Sequence, residues 1–222
     1  MLFRNNHYYP ILEYWHSEKL SKLFGRRLIF RDIDFNWEEK GIFGISGPNG
    51  SGKSTLVKII AGLIAPSSGK IIHKNSGGEI IPEKLHNHIG FVSPYLVLYE
   101  EFSAWENLKI FAKIRGISLN AERINNYLKK FLLDTRKDDL VKTYSSGMKQ
   151  RLKFVFALMH FPEVLILDEP TSNLDEEGKK VVYDIISEEG KTCIVIITSK
   201  EAKDMKLCHE VLLLENFKRF QD

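Results

Sequence analysis

The sequence predicts an α/β protein: a mostly parallel sheet with flanking helices, an N-terminal antiparallel β subdomain and an inserted α-helical subdomain. Three observations predict it. The apolar run GIFGIS (Gly41 to Ser46) passes at once into the glycine-rich stretch GPNGSGKST and then into helical periodicity. After His160 the chain alternates strand-like and helix-like segments. Between about Pro94 and His160 helical periods dominate, so the alternation is interrupted by a helical block. One domain over residues 1–222 is expected, with the core and β subdomain in 1–93 and 161–222 and the helical subdomain in about 94–160.

Each element has its own signal. The N-terminal stretch mixes short apolar runs with aromatics, YYPILEYW and then LIFRDIDFNW. Leu28, Phe30, Ile33 and Phe35 alternate imperfectly, which points to antiparallel strands. GIFGIS is short and apolar, as a buried strand is. From Ser54 onward Leu56, Ile59, Ile60 and Leu63 recur at helical spacing, and Gly62 and Pro66 mark the end. GKIIHKNSGGEIIP reads as a hairpin turning at Ser76-Gly77-Gly78. In the helical block Trp105, Leu108, Phe111 and Ala112 form one face. Ile124, Tyr127, Leu128, Phe131 and Leu132 form another, at i, i+3, i+4, i+7, i+8. VLILDEP then reads as a strand, Glu176 to Ser187 as a helix, TCIVIIT as a strand and VLLLEN as a last strand.

Composition narrows the class. With 222 residues, 43% hydrophobic and 27% charged, the chain is of the soluble globular type with one sizeable core. Apolar runs such as Val164 to Leu167 and Cys193 to Ile197 are strand-sized, far below the ~20 residues of a membrane span. The opening MLFRNNHYYP lacks the apolar centre and cleavage site of a secretory signal, so the chain is expected to stay where it is made. A net charge of +3 is too weak a basic excess to argue nucleic acid. The local run Lys149, Arg151, Lys153 reads as a solvated helix face. Cys193 and Cys208 show no CxxC or His-rich spacing, which suits thiols in a reducing compartment.

The glycine-rich stretch carries the chemistry. GPNGSGKS (Gly47 to Ser54) matches G-x-x-x-x-G-K-[ST] in full, with a strand before it and a helix after it. Its glycines let the backbone curl so that successive N–H groups face a phosphate chain. The new helix adds the positive end of its dipole. Lys53 supplies a charge to the terminal phosphates, and the Ser54 hydroxyl can bind Mg²⁺. Asn49, Gly50, Ser51, Gly52, Lys53, Ser54 and Thr55 are therefore the nucleotide-binding candidates on a P-loop NTPase core. The motif specifies a nucleotide and leaves the kind of NTPase open. VLILDEP ends in two carboxylates at the carboxyl end of a strand, where ligands bind in such sheets. Asp168 is placed to hold Mg²⁺ through its water shell, and Glu169 is the catalytic candidate that polarises an attacking water.

With YSSGMKQR (Tyr144 to Arg151) added, these pieces resemble the ATP-binding cassette (ABC) family. That family's signature motif is usually Leu-Ser-Gly-Gly-Gln followed by a basic residue and arginine. Tyr144 stands at the leucine, Ser145 at the serine, Ser146 at the first glycine, Gly147 at the second and Met148 at the glutamine. Met148, Leu152, Val155, Phe156 and Met159 continue as an apolar helical stripe, so Ser145 to Gly147 open a helix whose N-terminus attracts phosphate. The resemblance implies that this helix meets ATP held by a partner subunit. Ser172-Asn173-Leu174-Asp175 resembles the loop that contacts the opposite subunit, with Asp175 carrying over. Phe24, 29 residues before Lys53, stands where the family has an aromatic that stacks on adenine. Two positions depart. Pro94 replaces a glutamine that touches Mg²⁺ and the attacking water, and Ser199 replaces a histidine that contacts the γ-phosphate. The resemblance thus implies ATP and Mg²⁺ as cofactors, ATP-driven dimerisation as a homodimer or heterodimer, and slow hydrolysis that depends on Glu169.

Three readings of such a chain stay open. The first is the energy-coupling subunit of a membrane transporter, cytoplasmic and peripheral on the inner face of the membrane. It would pair with a membrane-spanning subunit, for which Tyr95, Leu98, Tyr99 and Phe102 are the contact candidates. The second is a soluble ABC ATPase on ribosomes or DNA. Its resembling proteins usually carry two cassettes or a long coiled-coil insertion, neither of which is read here, and no nucleic-acid partner is expected. The third is a regulatory module in which Pro94 and Ser199 have ended turnover. The absence of an extension after VLLLENFKRFQD argues against a regulatory domain and favours neither import nor export. The transported substrate is not legible, since in this family the membrane subunit holds it.

Overall fold

Unbroken apolar runs and alternating ones need different surroundings, and the chain supplies both. The structure, a computed structural model, describes residues 12–75 and 78–217. Strands β1 (Leu12–Phe24), β2 (Arg27–Trp37), β4 (Ser68–Asn75) and β5 (Gly78–Glu79) form an antiparallel sheet in the order β2-β1-β4-β5. Strands β3 (Gly41–Ser46), β6 (Ile89–Val92), β7 (Val164–Asp168), β8 (Ile194–Ser199) and β9 (Glu210–Leu213) form a second sheet in the order β6-β7-β8-β3-β9. The pairings of this second sheet are all parallel. The helices are α1 (Lys53–Ile60), α2 (Ala104–Ile114), α3 (Ala121–Lys130), α4 (Ser146–Leu158), α5 (Glu176–Glu189) and α6 (Ala202–Met205). Ser76 and Gly77 of the expected hairpin turn lie outside the described residues, as do Tyr8 and Tyr9. Asn75 pairs with Gly78 across that turn.

The parallel sheet divides two cores by its own period of two. Phe43, Ile45, Ile166 and Ile196 join α1 and the antiparallel sheet in one cluster. Leu165, Leu167, Val195 and Ile197 join side chains of α2, α3, α4 and α5 in the other. Every residue of β7 is buried, which is why its sequence shows no alternation. A fully buried Leu or Ile side chain contributes about 1.5–3 kcal/mol relative to exposure.

Sequence periodicity and structure part company at identifiable points. Pairing of β1 with β2 slips between Ser17 and Lys22, where Lys19 and Asp32 have positive φ of 44° and 53°. The bulge resets the phase between Phe30 and Ile33, which explains the imperfect alternation. Leu132 was expected on the buried face of α3, yet it is 46% exposed with φ 57°. The helix ends in a Schellman turn: the Leu133 N–H donates to the Leu128 carbonyl and the Leu132 N–H to the Lys129 carbonyl. Leu132 takes the left-handed position, and Leu133 is buried in its place. Leu98, expected to contact a partner, is buried in the core, whereas Tyr95, Val97, Tyr99 and Phe102 stay exposed. Asn107 organises this segment: its Nδ2 donates to the carbonyls of Tyr99, Phe102 and Ser103, and its Oδ1 accepts from the Tyr99 N–H. Finally, the basic run of α4 is not simply solvated. Lys149 pairs with Glu100, Arg151 donates to the Phe131 carbonyl, and Lys153 donates to the carbonyls of Ser93 and Pro94.

Two histidines, His73 buried and His160 partly buried, make stability depend on pH. His73 on β4 lies edge-on to Trp15, ring centroids 4.2 Å apart. Burial lowers its pKa from 6.5 to about 4, against a smaller opposing hydrogen bond to the Ile60 backbone. Burial lowers that of His160 to about 3. The folded state binds fewer protons than the unfolded one, so the stabilisation is complete above pH 6.5 and fades as pH falls toward the folded values. For His73 the loss reaches about 3 kcal/mol. Melting temperature is expected to drop between pH 7 and pH 4.5, and to drop less in a His73→Phe variant. Equal slopes in the two proteins would remove His73 from the account.

A candidate nucleotide site

Strands β3, β7 and β8 are neighbours and parallel, so their carboxyl ends open on one edge of the sheet. After β3 the backbone turns through Gly47 to Gly52 before α1 begins. Gly52 has φ 107°, and a Cβ there would lie 2.5 Å from Ile29 Cγ2 and 3.3 Å from Phe30 Cδ1. Side chains of β2 therefore press on the loop, and only glycine fits between. Gly50 has φ 73° with open space around it, so there the backbone angle alone favours glycine. Asn49 and Gly50 are exposed, and Ser51 is buried with a hydroxyl that has no partner among the described residues. Thr55 is half-buried in the first turn of α1.

Lys53 is 6% exposed. Its Nζ donates to the carbonyls of Gly47 (2.8 Å) and Pro48 (3.3 Å) and lies 3.3 Å from Glu169 Oε1. The ammonium is thus held by two carbonyls of the loop and the Glu169 carboxylate. Asp168 is fully buried. Its Oδ1 accepts from Ser54 Oγ (3.1 Å) and Thr198 Oγ1 (2.5 Å), while Oδ2 has no partner among the described residues. Glu169 stands just past β7 with φ 52°, a strained conformation for a non-glycine residue. Its N–H donates to the Thr198 carbonyl at 3.0 Å, and its own carbonyl accepts from the N–H and Oγ of Ser172. These contacts fix the backbone from which the carboxylate projects. Ser199 ends β8 fully buried, and its hydroxyl accepts from the Glu201 N–H at 2.9 Å.

Ser145 caps α4, its side chain accepting from the Met148 N–H at 3.2 Å. Ser145 and Ser146 are exposed. A Cβ on Gly147 would lie 3.2 Å from the Asn173 carbonyl, so the turn packs on the Ser172 to Asp175 loop. Asp175 in turn caps α5 through the Gly178 N–H at 2.8 Å. Phe24 is 52% exposed at the end of β1, with Lys22 Nζ 4.9 Å from its ring centroid. It pairs with Arg27, two residues along β2 from the Ile29 that touches Gly52.

The predicted residues thus fall into two linked groups, while Phe24 stands exposed at the end of β1. Lys53, Ser54, Asp168 and Glu169 contact one another directly. Ser145, Gly147 and Asp175 gather at the starts of α4 and α5. Two residues were missed by sequence reasoning. Thr198 pairs with Asp168 in the register of β7 and β8. Gln150 is buried and donates from Nε2 to the Pro170 carbonyl at 3.3 Å, joining α4 to the residue after Glu169. A hydroxyl ending an apolar strand was the signal for Thr198, and a glutamine within an apolar helix was the signal for Gln150.

The family model described as ABC transporter matches residues 30–172. The chain belongs to this family. It is 37% identical over 210 residues to the uncharacterized ABC transporter ATP-binding protein YdbJ of Bacillus subtilis (strain 168), covering 93% of this chain and 67% of that one. It is 32% identical over 206 residues to the linearmycin resistance ATP-binding protein LnrL of the same organism, covering 90% and 65%. The chain therefore spans about two thirds of the length of these relatives. A solved structure from Pyrococcus furiosus, assigned to the ATP-binding protein of an ABC transporter, superposes with a TM-score of 0.80 at 25% identity, covering 93% of this chain and all of that one. As an ABC ATPase the chain binds and hydrolyses ATP. Its parallel sheet, flanking helices and N-terminal antiparallel sheet are the P-loop NTPase fold that the sequence predicted.

Proposed function

We propose that this ABC ATPase powers a membrane transporter by closing on a second ABC subunit when ATP is bound. One observation carries the two-subunit reading. Nearest to Gly147 are Asn173 and Leu174, whereas nearest to Gly52 are Ile29, Phe30 and Leu214. We read the capped, exposed start of α4, which packs on the Ser172 to Asp175 loop, as a second phosphate-facing turn. It fits an ATP presented by another subunit. In this reading Asn49 to Thr55 hold the phosphates, Phe24 stacks on adenine, and Ser145, Gly147 and Asp175 meet the opposite subunit's nucleotide. Residues 94–160 act as the helical subdomain between the sheet and the partner.

Mg²⁺ fits the oxygens present. Ser54 Oγ and Asp168 Oδ2 are hard donors, and Oδ2 is a buried acceptor that such an ion would satisfy. When bound, Mg²⁺ neutralises charge on the terminal phosphates. Lys53 orients those phosphates. Glu169 takes the proton of the attacking water as the γ-phosphoryl group leaves ADP.

A second reading, a clamp with little turnover, draws on Ser199 and Pro94. The Ser199 hydroxyl is buried and engaged by Glu201, and Pro94 has no side-chain donor. Both favour slow hydrolysis. The membrane reading draws on the exposed Tyr95, Val97, Tyr99 and Phe102, a cluster of large apolar side chains beside the core. Among the described residues no helix is long and apolar enough to cross a membrane. Affinity isolation from detergent-solubilised membranes, with mass spectrometry, tests it. A multi-span protein in stoichiometric amount supports the transporter. Ribosomal proteins or DNA in its place would overturn it and leave the ATP chemistry standing.

A further inference from the structure

We propose that Lys153 is a positioning residue that ties α4 to the segment Ser93–Tyr95 and so couples the two nucleotide-facing groups of the chain. The inference rests on the reading that the start of α4 meets the second subunit's ATP. Lys153 lies on α4 roughly two turns beyond Ser145. Its Nζ donates to the Pro94 carbonyl at 2.9 Å and to the Ser93 carbonyl at 3.2 Å. Hydrogen bonds from an ammonium are stronger than neutral ones, and these come from a partly buried side chain. The segment has a second cationic contact. Lys58, in the last turn of α1, has its Nζ 4.8 Å from the centroid of the Tyr95 ring. The Tyr95 N–H closes onto Ser93 Oγ at 3.2 Å.

Each of these lysines comes from a helix that begins at a nucleotide-facing turn, α1 at Lys53 and α4 after Ser145. The segment itself follows β6, whose Val92 pairs with Leu167, the residue before Asp168. Pro94 offers neither an N–H nor a side-chain donor here. Its carbonyl and that of Ser93 remain as the handles, and Lys153 takes both. A shift of α4 on meeting a second subunit is thereby passed to the end of β6, and loss of the ammonium releases the segment from α4.

The test uses the full chain carrying Glu169→Gln, so that ATP is bound and not consumed, with Lys153→Met and Lys153→Arg added singly. Three quantities are read: ATP affinity of the monomer by calorimetry, ATP-dependent dimerisation by sedimentation, and melting temperature. Lys153→Met is expected to match the parent in ATP affinity and melting while its dimer dissociation constant rises about tenfold. Lys153→Arg, which keeps the charge and the donors, is expected to recover most of that loss. Unchanged dimerisation in Lys153→Met overturns the proposal. So does a fall in ATP affinity or melting temperature in step with dimerisation, which reduces Lys153 to structural support. A parent that never dimerises with ATP sinks the two-subunit reading itself, and the parent alone shows that.

Discussion

Glu169→Gln is expected to lower ATP turnover by about 10²–10⁴ while ATP affinity stays within a few-fold. The substitution keeps the size and shape, but it removes the negative charge and the ability to take a proton and turns one acceptor oxygen into an NH2 donor. Backbone direction at this position is set from outside the side chain. The Glu169 N–H is held by the Thr198 carbonyl, and its carbonyl by Ser172. Lys53 keeps its two loop carbonyls whatever stands at 169, so the phosphate loop retains its shape. Phosphate release and nucleotide binding, measured side by side, separate the outcomes. A parallel collapse of binding would mean that the 3.3 Å Lys53–Glu169 contact shapes the loop more than it serves the chemistry. Turnover equal to the parent's would remove Glu169 from the reaction. A parent that already turns over very slowly would favour the clamp reading built on Pro94 and Ser199.

What the sequence made legible was whatever depends on short spacing. A loop of glycines with Lys-Ser after a buried strand leaves its residues little choice, and the strands around it show their burial as unbroken apolar runs. Long-range geometry was not legible. Lys19 and Asp32 reset the strand phase by adopting positive φ, which no local signal in ordinary side chains announces. Leu132 looked like the next residue of a stripe because the periodicity continues past the point where hydrogen bonding ends the helix. Leu98 and Tyr99 look alike in a hydrophobic run, and only the Asn107 amide, which grips the backbone of Tyr99, decides which way the segment turns. Thr198, Gln150 and Lys153 act through partners between 30 and 60 residues away, or through a carbonyl 20 residues on, so no window of sequence holds both ends.

Gly90→Ala is expected to destabilise the fold by about 3 kcal/mol, against the small gain that a Gly→Ala change in a strand usually brings. A Cβ on Gly90 would overlap the Ala157 carbonyl oxygen and lie 3.0 Å from its carbonyl carbon and 3.1 Å from Pro162 Cγ. The obstacle is helix backbone, so no rotamer relieves it. Nor can β6 retreat, because Gly90 is paired with Leu165 in the middle of its ladder to β7. The helix must therefore lift, and α4 cannot lift cheaply. From Leu152 to Leu158 nearly every side chain is buried, packed on β6 and among α2, α3 and α5. Ala157→Gly removes a side chain that is not part of the clash, so it is expected to rescue nothing. Chemical denaturation reads the loss as a lower midpoint at unchanged slope. A Gly90→Ala protein with the parent's midpoint would mean that α4 sits looser on the sheet than the close approach implies. The coupling assigned to Lys153 would then lack the rigid helix it needs, since a helix free to move at Ala157 cannot carry displacement from Ser145 to the end of β6.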